Sequence, residues 1–173
     1  MNIRTAVVRY DGEGLRFSAA SGSGHEVVLD DAAGDAGARP IELVAIALGA
    51  CTAMDAISIL QKKRQEVTRY EVSVTAEQRT EPHPAIFVRA DVLHEVEGPA
   101  VDEEAVRRAV ELSAIRYCPV GAMLSAGTVE VRHRYRIVSG DRPEPIEGEV
   151  VVLGPGWDPD GAAVPATVQQ AGG

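Results

Sequence analysis

Cysteine, histidine and aromatic residues are all scarce in this chain, and each scarcity closes off a class of protein. Two cysteines in 173 residues are far fewer than a small secreted domain stapled by disulfides would carry. Aromatic residues make up 4%, so there are few rings for a base-stacking platform, and the core falls to Val, Leu, Ile and Ala. The four histidines, His25, His83, His94 and His133, share no HxH or HExxH spacing, and neither cysteine belongs to a CxxC pair. Neither a structural zinc site nor any other metal or cofactor is therefore expected. A GxSxG elbow is missing, and Gly12-Glu-Gly14 lacks the further glycines of a nucleotide loop, which removes serine catalysis and leaves thiol chemistry or ligand binding. Positive charge is also short: 17 Lys and Arg against 26 Asp and Glu give a net charge of -9, which argues against nucleic acid and anionic membranes as partners. Met1 to Tyr10 contains no apolar signal-like run, so the expected compartment is the cytoplasm.

What the chain does have is an apolar content of 45%, enough to build the core of a single domain. Thr5 to Tyr10, Leu15 to Ala19 and His25 to Leu29 read as three short antiparallel strands, the first two joined by the turn Asp11-Gly-Glu-Gly. Asp30 to Arg39 has no apolar period and reads as a loop. Pro40 then occupies the first position of a long helix, where its fixed φ and missing N–H cost nothing. From Ile41 to about Gln65 no proline intervenes, and apolar side chains cover nearly the whole circumference up to Gln61, the pattern of a helix buried on most sides. Ile41 to Leu60 is long enough to span a membrane, but Glu42 and Asp55 would each cost roughly 2.5 to 3.5 kcal/mol in the bilayer, so a buried soluble helix fits better.

Tyr70 to Arg79 and Ile86 to Val96 alternate as half-buried strands and are expected to pair as a hairpin across Thr80 to Pro84. Asp102 opens a second helix running to about Tyr117, and Pro119 then places Cys118 at a helix terminus or kink. Thr128 to Val138 is the clearest strand, with Val131, His133, Tyr135 and Ile137 on its apolar face. His133 on that face reads as a hydrogen-bonded core residue rather than a ligand. The reading is α+β with two antiparallel sheets: a domain over residues 1–138, and a Pro- and Gly-rich extension over 139–173 that is partly disordered or strand-like.

Cys51 alone reads most simply as a small buried hydrophobe, whereas Cys118 alone, at the helix break, is divided between that reading and a chemical role. Together they carry more. If the two helices pack, one thiolate can attack a peroxide and the other can resolve the sulfenic acid as a disulfide. Asp55, four residues after Cys51, shares its helical face and would disfavour a thiolate there unless a cation intervenes. Arg16, Arg39 and Arg116 are the candidate cations, and Glu42, one turn into the helix, is placed to hold a guanidinium by bidentate pairing.

Two stretches, Pro40 to Asp55 with its Gly-Ala-Cys51-Thr-Ala-Met-Asp55 and Leu112 to Val120 with its Arg-Tyr-Cys118-Pro-Val, resemble the two cysteine motifs of the OsmC/Ohr family. The resemblance covers roughly Arg4 to Val138. It implies an intertwined homodimer, with two sheets wrapped around paired central helices and the active site at the subunit interface. It also implies that Cys51 is the peroxidatic thiol, Cys118 the resolving one, organic hydroperoxides the substrate class, and an external dithiol such as a lipoylated protein the reductant. Two positions depart from the hydroperoxide-resistance branch. Ile41 stands where that branch has a glutamate, with Glu42 one place later, and the family's arginine near the first hairpin has no clean counterpart in Asp11-Gly-Glu-Gly-Leu-Arg16. A stress-response or small-ligand-binding module with incidental thiols is the alternative.

Overall fold

Alternating and helical periods are realised close to where the sequence places them. The computed structural model describes residues 3–126, 130–140, 142–153 and 167–170. The chain divides into two compact units, residues 1–46 and 47–173.

In the first unit, β1 (Ala6–Tyr10), β2 (Phe17–Ser21) and β3 (Glu26–Leu29) form an antiparallel meander in that order. The β1–β2 connection needs left-handed backbone, and Gly12 and Gly14 supply it with φ of 92° and 51°. The following loop is organised by Asp30, whose carboxylate accepts the backbone N–H groups of Asp31 at 2.8 Å and Ala36 at 3.1 Å. Helix α1 (Pro40–Lys62) starts at the end of this unit and supplies the first residues of the next. Its start is capped by Glu42, which accepts the Arg39 backbone N–H at 2.9 Å, the return half of a capping box.

In the second unit, β4 (Arg69–Gln78), β5 (Phe87–Gly98), β6 (Glu130–Ser139), β7 (Ile146–Leu153) and β8 (Thr167–Gln170) form one sheet in chain order. All neighbours are antiparallel except β5 and β6, which are parallel. This is one departure from two purely antiparallel sheets, and its cause is the connection. Strands joined through helices return in the same direction, and α2 (Glu103–Leu112) and α3 (Pro119–Ser125) lie between β5 and β6. Asp102 caps α2 by accepting from the backbone N–H groups of Glu104 and Ala105. Past Ser139, in the region read as an extension, β7 adds to β6 and places Val150 in the core; residues 154–166 and 171–173 lie outside the described ones.

The core joins Ala56 and Leu60 of α1 to Val96 of β5, Val106, Ala109 and Val110 of α2, Tyr135 and Ile137 of β6, and Val150 of β7. Burying each such aliphatic side chain contributes about 1.5 to 3 kcal/mol. Along α1 the buried residues Leu48, Thr52, Ala56 and Leu60 recur every fourth position, a single stripe. The all-round burial expected of this helix is absent within one chain: Ile46 and Met54 are 58% and 72% exposed. By length and composition α1 could cross a membrane, but the stripe it buries is packed into a core with sheet and helix, as in a soluble protein's central helix.

Candidate functional site

Small residues let α1 lie close to the sheet. A side chain at Gly49 would come within 2.9 Å of Val74 on β4, so glycine at this position sets how near Cys51, two residues on, comes to the second unit's interior. Cys51 is half-buried and unbridged, and Asp55 follows it one turn later on the same face.

The other thiol is delivered by a break in helical geometry. After α2 the segment Ser113–Tyr117 forms a π-helical turn, closed by the Cys118 backbone N–H donating to the Ser113 carbonyl at 2.9 Å. Pro119 then excludes the helical conformation at the residue before it, and Cys118 is extended, with φ −73° and ψ 101°. Its sulfur turns back to accept the Gly121 N–H at 3.2 Å. Cys118 is 3% exposed.

These two local structures bring Cys51 Sγ, Cys118 Sγ and a carboxylate oxygen of Asp55 within 4.8 Å of one another. Both sulfurs therefore belong to one small cluster with the Asp55 carboxylate. Burial, first, and then the neighbouring Cys51 and Asp55 push the Cys118 thiol up to about 12, against the opposing pull of the Gly121 N–H. Ser113 Oγ lies 3.1 Å from Asp55 Oδ2 and 2.9 Å from the buried Thr52 Oγ1, so its single proton ties the π-turn to α1 through one or the other. Thr52 and Ser113 had no role in the sequence reading; the available signal was a polar residue recurring on an apolar helical face.

The second unit holds another group of titratable side chains. Tyr70 on β4 has its hydroxyl 2.7 Å from His94 Nδ1, and His94 Nε2 lies 3.4 Å from His133 Nδ1. Burial depresses both imidazoles, His94 to about 3 with help from His133, and His133 to about 4, so both are neutral at pH 7. Burial, and then the Asp55 charge, raise Tyr70.

Of the other residues singled out in the sequence, Glu42 and Arg39 belong to the first unit. There the Glu42 carboxylate takes Arg39 Nη1 at 2.6 Å as well as its backbone N–H, and this contact lowers the Glu42 carboxyl. Arg16 pairs with Asp11 at 3.4 Å, and Arg116 lies over the Tyr117 ring, 5.7 Å from its centre. Among the described residues no arginine pairs with either thiol. The first unit also has an apolar hollow of about 570 Å³, with Val8, Leu15, Phe17, Leu29 and Pro40 in its wall and Arg39 at its edge.

The segment that carries the two thiols is shared with known proteins. A family model described as OsmC-like protein matches residues 33–134. The protein YhfA of Escherichia coli is 42% identical over 127 residues, which are 73% of this chain and 93% of that protein. A hypothetical protein of known structure from Aquifex aeolicus is 28% identical, covers 79% of this chain and 97% of its own, and superposes with a TM-score of 0.68. An organic hydroperoxide resistance protein from Elizabethkingia anophelis, solved with thiocyanate bound, shares the fold at 16% identity, with a TM-score of 0.58 over 81% of this chain and 98% of that one.

Proposed function

From the premise that the chain belongs to the OsmC-like protein family, whose membership supports a peroxide-resistance or redox role, we propose that it is a thiol-dependent peroxidase. Its substrates are organic hydroperoxides, or hydrogen peroxide. The observation that carries this reading is the meeting of Cys51 and Cys118, which lie on separate elements 67 positions apart and whose sulfurs come within 4.8 Å of each other.

Cys51 is the attacking thiol, because it is the half-buried one that a peroxide can reach. Its thiolate displaces alkoxide from the outer peroxide oxygen, giving a Cys51 sulfenic acid and, after protonation, an alcohol. Cys118, whose thiolate is disfavoured, suits the second step: it attacks the sulfenic sulfur, closes a disulfide and releases water. An external dithiol, for which a lipoylated protein is the candidate, restores both thiols by exchange. The carboxylate of Asp55 works against a thiolate beside it, so the first step calls for a cation. Glu42, which holds the Arg39 guanidinium, is assigned to the catalytic set with the two cysteines.

The working unit is a homodimer. Ala50 and Met54 are exposed one turn apart on α1, and Ile115, Tyr117 and Met123 are exposed in the same unit, apolar side chains that a second copy would cover. Residues 1–138 are taken as the catalytic domain, 139–173 as an addition to it, and the cytoplasm as the compartment whose dithiols return it to the reduced state.

The test is stoichiometric. Reduced protein mixed with cumene hydroperoxide should lose both free thiols and yield a Cys51–Cys118 crosslink in its peptide map. Cys51→Ser should abolish peroxide consumption, and unchanged consumption in that variant would end this reading. A small-ligand-binding module is the second reading, favoured by the apolar hollow with Arg39 at its edge. Native mass spectrometry would support it by finding a bound molecule on protein whose thiols stay unreactive.

A further inference from the structure

Cys51, Cys118 and Asp55 are three acids gathered within 4.8 Å, and among the described residues no lysine, arginine or histidine pairs with any of them. Such a cluster must hold protons or a cation. Its donor set is specific: two sulfurs and one carboxylate oxygen suit zinc, and are poorly matched to magnesium or calcium. Tetrahedral zinc, with Zn–S near 2.3 Å and Zn–O near 2.1 Å, sets ligand separations of about 3.6 to 3.8 Å. The 4.8 Å within which the three atoms lie is about 1 Å wider than that spacing.

The surroundings of the trio fit a bound ion in two further ways. Ser113 occupies Asp55 Oδ2, while Oδ1 makes no hydrogen bond among the described residues and is left as the ligand atom. The Gly121 N–H on Cys118 Sγ is the kind of outer contact that orients a metal-bound thiolate. Cys51 and Asp55 are half-buried, which gives an ion a path in and leaves a fourth position for water. Sequence spacing could not suggest such a site, because only Cys51 and Asp55 are near in sequence.

We propose that the reduced protein holds one zinc ion on Cys51 Sγ, Cys118 Sγ and Asp55 Oδ1, and that oxidation of the two thiols by a hydroperoxide releases it. Two thiolates on zinc, one hydroperoxide and two protons become a disulfide, an alcohol, water and free zinc. The two sulfurs give up two electrons and the peroxide O–O bond accepts them. The release step rests on the peroxidase reading; the binding step does not.

Metal-free, reduced, full-length protein titrated anaerobically with cobalt(II) should develop thiolate-to-cobalt charge-transfer absorption and intense tetrahedral bands that saturate at one ion per chain and are displaced by zinc. Asp55→Asn should weaken binding by about tenfold or more. Wild-type protein alkylated at its thiols, whose fold can be checked separately, should give no such absorption. Cumene hydroperoxide added to the cobalt-loaded protein should bleach the bands as a chromogenic chelator reports the released ion. Absence of thiolate absorption, or equal affinity in Asp55→Asn, overturns the inference. Peroxide consumption by chelator-treated protein is read in parallel: consumption without metal binding overturns only the metal site, whereas metal binding by peroxide-inert thiols overturns the release step and the peroxidase reading together.

Discussion

Strands β1 and β5 contain similar residues and meet opposite fates. In β1 all five positions, including Val7, Val8 and Tyr10, are exposed. In β5 every second residue from Ala90 to Gly98 is buried, and Ala90, Val92, His94 and Val96 are at most 1% exposed. The cause is company rather than composition. β5 lies between β4 and β6, in a sheet that packs against α2, whereas β1 is the edge of a three-stranded sheet. Burial belongs to the neighbours a strand acquires, and β1 has a paired strand on one side only.

Three changes would sharpen or break that contrast. The largest effect belongs to the second unit: Leu60→Ala, at a site 1% exposed, should cost about 2 to 5 kcal/mol, read as a lower denaturant midpoint with unchanged slope. Next comes acid. His94 and His133 have folded values near 3 and 4 against 6.5 in the unfolded chain, so the unfolded state binds protons that the folded state refuses. Stability should be intact above pH 6.5 and fall below it, by up to about 1.4 kcal/mol per pH unit for each histidine, until the folded values are reached. Equilibrium unfolding in a pH series measures this, and a flat profile from pH 6.5 to 4.5 would contradict the neutral, buried pair. The smallest effect on the core's own unfolding, within about 0.5 kcal/mol, is expected for Val8→Asp on β1, which should instead shift the particle mass from dimer to monomer in light scattering. An unchanged mass would make β1 an ordinary solvent-facing strand.

Much of this architecture could be read in the sequence, and what could not shares one physical origin. The long helix was legible because Ile41 to Leu60 lacks proline and is dense in Ala, Leu and Ile. β6 was legible because Val131, His133, Tyr135 and Ile137 alternate with arginines, and all four are buried. The end of a helix at Cys118 followed from Pro119, but the π-turn before it did not, since no local pattern distinguishes it from α-helix. The parallel pairing of β5 with β6, the His94–His133 contact and the joining of Ser113 to Thr52 all depend on residues at least 39 positions apart. Periodicity carries no information at that range. The candidate site was half visible: two cysteines, Asp55 and Glu42 as holder of a guanidinium could be named, but which of the three arginines Glu42 holds, Arg39, required coordinates.

The parallel crossover also dictates an order of events. The β4–β5 hairpin has a local turn and can form early, but β6 cannot take its place until the chain from Gly98 to Glu130 has folded back across the sheet, a non-local closure that is slow compared with hairpin formation. Cys118 rides on that closing segment. Until it docks, the two thiols are separate and accessible, so a nascent or refolding chain is open to mixed disulfides at Cys118 as well as at Cys51. The same crossover that assembles the thiol pair therefore keeps the two thiols apart through the early steps of folding.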